Sequence, residues 1–283
     1  MAAAPLSADL VERAVRAALD EDLGAAGDIT STATIPMEAQ AVATFGSRKP
    51  GVVAGLPLAE AAFHAVDPSV RFERILNDGD RVAAGSVVAR VSGNARAILA
   101  GERVALNYLC RLSGIATATA ALVDRVNHTR AVILDTRKTT PGMRVFEKYA
   151  VACGGGQNHR MGLHDAILIK DNHIAVAGSV AAAIRAARAH APGVRLEIEV
   201  ASLAELDEAM AERPDIVMLD NMNPADMREA VRRVAGKAKL EASGNVTLET
   251  IGPIAETGVD YISSGWITHS APALDLGLDV VVG

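Results

Sequence analysis

Residues 133–173 read ILDTRKTTPGMRVFEKYAVACGGGQNHRMGLHDAILIKDNH, and this stretch decides how the rest of the chain is interpreted. It opens with an apolar run that ends at Asp135 and Thr136, and it closes with a second run that ends at Lys170 and Asp171. The segment between them contains a Gly-Gly-Gly triplet together with Arg137, Lys138, Arg144, Lys148, His159 and Arg160. Cations that cluster where two buried strands emerge are typical of an anion pocket. A solvated basic loop is the alternative.

Downstream of this stretch, short apolar runs alternate with helical segments. The runs are AVILDT (131–136), AILIKD (166–171), LEIEV (196–200), DIVMLD (215–220), KLEASG (239–244) and YISSG (261–265). Alanine-rich helical segments are predicted at residues 180–190, 203–212, 224–234 and 247–257. This alternation predicts βα units and a parallel sheet. The row of units favours an α/β barrel over a doubly wound sheet, because no GxGxxG motif follows the first strand.

The first third of the chain has a different pattern. Ser7 is expected to cap a helix over residues 7–22, whose acidic end is assigned to the following turn. Residues 41–93 alternate with a period of two between Gly, Asp and Pro turns, which predicts a small sheet that also contains an apolar helix at 56–66.

A strongly helical segment over residues 97–126 comes next, and Ser113-Gly114 is predicted to kink or cap it. The domain boundary is placed at this break, so that residues 1–112 form the first domain and 113–270 the second. Residues 271–283 alternate with a period of two, which predicts a strand that returns to the first sheet.

Composition excludes several classes of protein. The chain has 283 residues, a net charge of -6 and 3% aromatic residues, so neither a basic footprint nor stacking platforms for nucleic acid are present. Two cysteines form no disulfide framework and no zinc pattern. No signal-like segment opens the chain and no apolar run approaches membrane-spanning length, so a cytoplasmic protein is expected.

Charged and small polar residues stand at the ends of the predicted strands. In βα barrels the active site lies at the carboxyl ends of the strands, so these side chains are expected to converge. In strand order they are Arg137 and Lys138, Lys170, Glu199, Asp220, Ser243 and Gly244, and finally Ser263, Ser264 and Gly265. Several such residues at the same end of successive strands predict a site rather than coincidence.

The chemistry of these residues divides into an anionic and a cationic part. Glu199 and Asp220 are suited to a Mg²⁺ ion that carries a polyphosphate, and internal salt bridges to Lys138 and Lys170 are the alternative. The two Ser-Gly turns offer backbone N–H groups to a phosphate ahead of predicted helices.

His159 and Arg160 follow the glycine triplet, which lets backbone approach a ligand. Arg160 and Arg137 could each bind a carboxylate through two N–H groups. Cys153 has no evident base beside it and is interpreted as a packing residue.

The same stretch resembles the quinolinate phosphoribosyltransferase family, also called carboxylating nicotinate-nucleotide pyrophosphorylases. Supporting motifs in the family's order are GDIT (27–30), ERVALNYLCRLSGIAT (102–117), EIEV, MLDNM, LEASGNV and ISSGWITHS. The resemblance implies an N-terminal α/β sandwich and an incomplete parallel α/β barrel of about six or seven strands. It also implies a homodimer with active sites at the subunit interface, in which Arg103 reaches the partner's site.

The implied reaction converts quinolinate and phosphoribosyl pyrophosphate into nicotinate mononucleotide, pyrophosphate and CO₂, a step of NAD synthesis. The implied quinolinate-binding residues are Arg103, Arg137, His159, Arg160 and Lys170. The implied phosphoribosyl pyrophosphate residues are Thr136, Lys138, Lys170, Glu199, Asp220, Ser243, Gly244, Asn245, Ser263, Ser264, Gly265 and His269. Lys138, Lys170, Glu199 and Asp220 are expected to act in catalysis, with Mg²⁺ at Glu199 and Asp220 and no organic cofactor.

Two alternatives remain at this point. A related phosphoribosyltransferase could act on another ring carboxylate without decarboxylation, and an inactive anion-binding or regulatory protein could keep the same pocket. Two cationic carboxylate clamps favour a dicarboxylate substrate, and the intact carboxylates and lysines favour an enzyme.

Overall fold

The computed structural model describes residues 3–281, which fall into two compact units. Among these residues the first unit comprises 3–118, 146–155 and 271–281, and the second comprises 119–145 and 156–270. The predicted boundary at 112/113 lies inside a continuous helix, and the exact limits of the two domains stay a prediction.

The first unit is an α/β sandwich built on an antiparallel sheet. Its strands are β1 (Gln40–Ser47), β2 (Gly51–Val52), β3 (Arg71–Arg74), β4 (Arg81–Val82), β5 (Val87–Asn94) and β12 (Leu276–Val281). Its helices are α1 (Ala8–Leu23), α2 (Ile29–Thr34), α3 (Leu56–Val66), most of α4 (Ala95–Val126) and most of α5 (Arg144–Cys153). The main sheet has the order β12-β1-β5-β3, which confirms the predicted return of the tail to the first sheet.

Aromatic packing holds α3 against this sheet. The ring of Phe63 lies 5.9 Å from that of Phe45 and 6.0 Å from that of Phe72, measured between centroids. Phe45 and Phe72 come from the alternating runs that predicted the sheet, and Phe63 comes from the predicted apolar helix. Phe45 and Phe63 are fully buried in the core of the sandwich.

Helix α4 runs through the predicted break without interruption. Gly114 is needed for close packing instead, because a Cβ there would lie 2.1 Å from the carbonyl oxygen of Pro272. Of the helices in residues 3–281, α4 is long and apolar enough to cross a membrane, but 61% of that apolar window is buried inside the fold. A buried core helix has the same properties.

The start of the chain corrects two local predictions. Ser7 occupies the N-cap of α1, yet within the described residues its side chain makes no capping hydrogen bond. The acidic residues Asp20 to Asp22 lie inside the helix, which ends at Leu23, and not in the following turn. Asp28 does cap α2, since its carboxylate accepts the backbone N–H of Ser31 at 2.9 Å.

The second unit is an incomplete parallel α/β barrel. Its strands are β6 (Val132–Leu134), β7 (Ile167–Ile169), β8 (Leu196–Val200), β9 (Ile216–Asp220), β10 (Lys239–Ser243) and β11 (Tyr261–Ser263). Its helices are α6 (Asp171–Ala177), α7 (Val180–His190), α8 (Leu203–Ala211), α9 (Pro224–Val234), α10 (Ile251–Ala255) and α11 (Trp266–His269).

The strand order β6-β11-β10-β9-β8-β7 decides between barrel and open sheet. The first strand pairs in parallel with the last, through Val132↔Tyr261 and Ser263↔Leu134, and this pairing curls the sheet into a barrel. Across the described part of the chain β6 and β7 have no ladder between them, so the barrel is open at this seam. An isolated bridge from Leu134 to Gln157 lies beside β6.

Helix caps explain why the βα units repeat so regularly. Ser179 and Ser202 each accept a backbone N–H from the first turn of the helix that follows, and Asn223 accepts two while Pro224 occupies the first helical position. The helix predicted at 247–257 is shorter, since α10 begins only at Ile251. The segment from Gly244 to Thr250 therefore forms an extended turn at the carboxyl end of β10.

Candidate functional site

Two cavities open at the carboxyl ends of the barrel strands. The first, here called the arginine cavity, has a volume of about 310 Å³ and is lined by Thr136, Arg137, Lys138, His159, Arg160, Leu168, Lys170, Met218, Glu241, Ser243 and Ser263. The second, called the serine cavity, has a volume of about 400 Å³ and is lined by Thr136, Lys138, Asp220, Asn221, Ser243, Gly244, Asn245, Val246, Thr247, Ser263, Ser264, Gly265, Trp266 and His269. Both cavities include Thr136, Lys138, Ser243 and Ser263, so together they form one continuous site.

The predicted residues separate between these cavities by chemistry. Arg137, His159, Arg160 and Lys170, which the family resemblance assigns to quinolinate, line the arginine cavity. The two Ser-Gly turns, Asn245, Asp220 and His269 line the serine cavity. Within residues 3–281, Glu199 borders neither of them.

The arginine cavity presents buried guanidinium groups. Arg160 is 7% exposed and donates through Nη1 to the carbonyl oxygen of Ala166 at 3.1 Å. Burial, followed by the charge of Arg137, lowers the pKa of Arg160. The buried Nε of Arg137 has no hydrogen-bond partner among the described residues, so the site contains an unsatisfied guanidinium donor. Unpaired guanidinium donors in a buried site are suited to a carboxylate.

Lys170 meets Glu199 at the rim of the site. Its Nζ lies 2.9 Å from Glu199 Oε2, which realises the internal salt bridge that the sequence left open as an alternative. In the strand register Glu199 aligns with Met218, two residues before Asp220, so both carboxylates belong to the same face of the sheet. The Lys170 side chain is 44% exposed, so its pairing with Glu199 is a partly solvated contact that a ligand can rearrange.

His159 is held from two sides. Its Nδ1 accepts the backbone N–H of Arg160 at 2.8 Å, which leaves the ring proton on Nε2. That N–H points to Glu197 Oε2 at 2.8 Å, with Glu241 Oε2 at 3.5 Å. The backbone N–H of His159 donates to Asp135 at 2.9 Å. His159 therefore lines the cavity with both ring nitrogens already engaged in hydrogen bonds.

The sequence prediction missed two carboxyl groups, Glu197 and Glu241. They are 2% and 0% exposed and lie inside the barrel, on β8 and β10. Burial, and then the charge of Glu197, raises the pKa of Glu241 well above its usual range. Glutamates within the otherwise apolar runs LEIEV and KLEASG were the available signal, because a buried charge is costly unless it serves a purpose.

His159, Glu197 and Glu241 place one potential metal-ligand atom each within 4.8 Å of one another. A metal at this cluster would require the lone pair of His159 Nε2. Since Nδ1 accepts a hydrogen bond, Nε2 carries the proton and has no lone pair to offer. The hydrogen-bond pattern of the cluster therefore suits the sharing of protons and not the binding of a metal ion.

In the serine cavity, two turns are connected by an asparagine that the sequence prediction also missed. Asn221 donates to Asp220 Oδ2 at 2.9 Å, accepts from Asn245 Nδ2 at 3.1 Å, and bonds through its backbone N–H to the Ser243 carbonyl at 2.9 Å. Gly244 has φ 92°, and a Cβ there would lie 2.2 Å from Asn221 Oδ1. The turn after β9 and the turn after β10 thus form one rigid wall.

Small residues also make room for Lys138. A Cβ on Gly265 would lie 2.8 Å from Lys138 Cδ, so glycine leaves space for the lysine stem. Thr268 Oγ1 donates to the Lys138 carbonyl at 2.8 Å and connects α11 to the loop after β6. Lys138 is therefore positioned where both cavities meet.

Other cations of the opening stretch have structural contacts. Arg144 donates to Thr139 Oγ1 and to the Met161 carbonyl, each at 3.0 Å, and Lys148 is fully buried in the first unit. Burial, followed by the charge of Asp78, raises the pKa of the Cys153 thiol to about 12, which is consistent with a packing role. Arg103 is an exposed residue of α4, and its reach into a partner's site stays a prediction.

Known protein families match sequence segments from both units of the chain. Residues 28–113 match the family model for the quinolinate phosphoribosyl transferase N-terminal domain, and residues 115–279 match the model for its C-terminal domain. Over 285 residues the chain is 44% identical to quinolinate phosphoribosyltransferase [decarboxylating] 1b of Nicotiana tabacum, covering 94% of this chain and 81% of the relative.

Two further comparisons cover nearly full length on both sides. The chain is 45% identical to the nicotinate-nucleotide pyrophosphorylase [carboxylating] of Mycobacterium leprae, over 96% of this chain and 98% of the relative. The crystal structure of NadC from Streptococcus pyogenes superposes with a TM-score of 0.95 at 43% identity, covering 98% of this chain and 99% of that one.

Proposed function

The chain belongs to the quinolinate phosphoribosyltransferase family, and from this premise we propose that it transfers phosphoribose from phosphoribosyl pyrophosphate to quinolinate with decarboxylation. The products are nicotinate mononucleotide, pyrophosphate and CO₂, and the reaction belongs to NAD biosynthesis. The observation that carries this proposal is the continuity of the two cavities. A cavity suited to a dicarboxylate opens into one suited to phosphates, with Lys138 lining both.

Quinolinate is proposed to bind in the arginine cavity. Arg137 and Arg160 bind its carboxylates, and Leu168 and Met218 provide an apolar wall for the ring. Lys170 adds a third cation at the rim. The His159 ring supports this pocket by its shape and by its hydrogen bonds to Arg160 and Glu197.

Phosphoribosyl pyrophosphate is proposed to bind in the serine cavity. The turns at Ser243–Asn245 and Ser263–Gly265 offer small, donor-rich backbone to a phosphate, and Lys138 attracts the diphosphate. When the ring nitrogen of quinolinate attacks C1 of the ribose, the C1–diphosphate bond breaks through an oxocarbenium-like state. The lysines stabilise the departing negative charge.

A Mg²⁺ ion fits the acidic side of this site. The Asp220 carboxylate lines the serine cavity and is oriented by Asn221, and oxygen donors of this kind suit Mg²⁺ carrying phosphates. Glu199 on the neighbouring strand is the second proposed ligand, once Lys170 turns to substrate. The bound ion would neutralise charge on the diphosphate.

Decarboxylation is proposed to proceed without an organic cofactor. After transfer, the ring nitrogen is cationic and adjacent to the carbon that bears the 2-carboxylate. Its positive charge can therefore stabilise the electron pair that CO₂ leaves behind on that carbon. We also propose a homodimer in which Arg103 of one subunit completes the quinolinate pocket of the other.

A comparison of two substrates tests the proposal. The purified protein is supplied with phosphoribosyl pyrophosphate, Mg²⁺ and either quinolinate or nicotinate, and pyrophosphate and CO₂ are measured together. Equal amounts of both products with quinolinate, and little turnover of nicotinate, are expected. Turnover of nicotinate with no reaction of quinolinate would identify a different phosphoribosyltransferase, and no product from either would indicate a binding protein.

A further inference from the structure

A buried pair of carboxyl groups lies inside the barrel, and one of them, Glu241, lines the arginine cavity. Glu197 and Glu241, here called the acid pair, are 2% and 0% exposed, and they lie with His159 inside a cluster whose polar atoms are within 4.8 Å of one another. Sequence reasoning assigned no role to either glutamate. Two carboxylates this close in a water-excluded site are strongly destabilised when both are ionised.

The hydrogen-bond pattern shows where one proton is needed. Among residues 3–281, neither Glu241 oxygen nor Glu197 Oε1 has a hydrogen-bond partner when both groups are treated as carboxylates. His159 supplies one N–H, and Glu197 Oε2 accepts it at 2.8 Å. Glu241 has the Ser263 hydroxyl as a neighbour, and this contact lowers the pKa of Glu241 less than burial and the charge of Glu197 raise it, although among the described residues the two groups do not reach hydrogen-bond geometry. A protonated Glu241 gives these oxygens a donor and removes the repulsion.

Glu241 also reaches the substrate cavity. Of the described residues that line the arginine cavity, it is the only acidic one. An ionised carboxylate there would repel a dicarboxylate ligand, whereas a neutral acid would not. Burial raises the pKa of Glu241, and the negative charge of Glu197 raises it further, while the charge of Arg195 opposes this shift. Glu241 therefore keeps its proton.

We propose that Glu241 is the acid that protonates ring carbon 2 when the 2-carboxylate leaves, an assignment that rests on the function proposed above. The bond between C2 and the carboxylate breaks, CO₂ departs, and the electron pair remains on C2 beside the cationic ring nitrogen. The O–H bond of Glu241 breaks and the C2–H bond forms in the same step, so the departure of CO₂ depends on the donated proton. Glu241 is left as a carboxylate and regains a proton from water after the product leaves.

Competing donors in the same cavity are less suitable. The arginines hold their protons too tightly, and the hydroxyl groups of serine and threonine are weak acids. The function proposed above assigns Lys170 to the quinolinate carboxylates as a bound cation, and the proton on Nε2 of the His159 ring is bonded to Glu197. Lys138 also lines the serine cavity, where the proposed function places the diphosphate.

The decisive variant is Glu241→Gln, because glutamine keeps the shape and neutrality of the protonated acid but has no acidic proton. Single-turnover reactions with quinolinate labelled in the 2-carboxylate would measure pyrophosphate and CO₂ separately. We expect pyrophosphate release near the wild-type rate, CO₂ release slowed by about 100-fold or more, and accumulation of the carboxylated mononucleotide, since a positioned general acid contributes about 10²–10⁴-fold. Glu241→Asp retains an acid and is expected to recover part of the CO₂ release.

A matched control is Glu147→Gln, which changes another fully buried glutamate that pairs with Arg111 and lies outside the cavity. Its two products should stay equal in amount and rate. The inference is overturned if Glu241→Gln releases both products together at the wild-type rate. It is also overturned if Glu241→Gln and Glu241→Asp, each folded by thermal melting, lose both products in equal proportion. Failure of the wild-type protein to release pyrophosphate from quinolinate would refute the proposed function instead.

Discussion

Replacing Gly244 by alanine tests whether the wall of the serine cavity is as rigid as its contacts indicate. The residue has φ 92°, so an alanine there is strained by about 1–2 kcal/mol. Its Cβ would also lie 2.2 Å from Asn221 Oδ1, far inside van der Waals contact. Asn221 must swing away, and it then loses its hydrogen bonds to Asp220 and Asn245.

The magnitude follows from these two effects. Each side-chain hydrogen bond contributes about 0.5–1.5 kcal/mol, and because these are exposed the lower end applies, so their loss adds about 1 kcal/mol. We expect Gly244→Ala to lower the unfolding free energy by about 2–3 kcal/mol in total. Displacement of Asn221 also frees Asp220, so the dissociation constant of phosphoribosyl pyrophosphate should rise by roughly tenfold, which corresponds to about 1.4 kcal/mol.

Gly236→Ala is the matched control. Gly236 has φ 77°, with nothing within 4 Å of an added Cβ among the described atoms, and it lies in the turn before β10, at the opposite end of the strands. An alanine at position 236 would therefore add the backbone strain without a steric clash. Urea denaturation and calorimetric titration with phosphoribosyl pyrophosphate would compare the two variants. Equal stability losses together with unchanged affinity in both would refute the argument from Asn221.

Three further outcomes can be measured. Arg137→Ala should weaken quinolinate binding by about tenfold or more, since hydrogen bonds to charged groups contribute about 1.5–3 kcal/mol. It should weaken phosphoribosyl pyrophosphate binding less, and equal losses of affinity for both ligands in calorimetry would contradict this. Mixing inactive Arg103→Ala with inactive Lys138→Ala subunits should restore some activity if sites are shared, and no recovery despite verified exchange would count against it. Asp28→Ala should lower stability by about 1 kcal/mol at neutral pH through loss of the α2 cap.

The stability loss expected for Asp28→Ala depends on pH, and the direction of this dependence can be derived. Hydrogen bonds from the Ser31 side chain and backbone lower the pKa of Asp28, so its contribution is present above the ordinary value of 3.8 and is lost as the pH falls through the lowered value. The stability gap between wild type and Asp28→Ala should therefore close in acid. A gap that stays constant between neutral pH and strongly acidic solution would show that the cap does not depend on ionisation.

Local patterns predicted most of the fold because strands and helices alternate with clear periods. The ends of the apolar runs likewise predicted which residues surround the cavities, since parallel strands end at one edge. The acid pair escaped this reasoning because its proximity depends on the curvature of the sheet, which turns β8 and β10, on either side of β9, toward one interior. The alternation in LEIEV reads equally well as a strand with one solvated face.

Asn221 was missed for a related reason. Its side chain matters only because two turns far apart in sequence lie side by side, and the positive φ of Gly244 brings the backbone within reach. The capping prediction for Ser7 was wrong for the opposite reason. Its residue type suits a helix cap, yet within the described residues its side chain makes no capping hydrogen bond. Residue type alone defines which contacts are possible, and long-range pairing decides which of them form.

The pairing of β1 with β12 has a consequence for synthesis on the ribosome. Six residue pairs, from Ser47↔Leu276 to Val42↔Val281, join an early strand to one that emerges more than two hundred residues later. The barrel between them can fold while the chain is still growing, but β1 keeps a bare edge until β12 leaves the exit tunnel. A nascent chain is thus exposed to edge-to-edge aggregation for most of its elongation, and chaperones that shield strand edges would act on this protein in that interval.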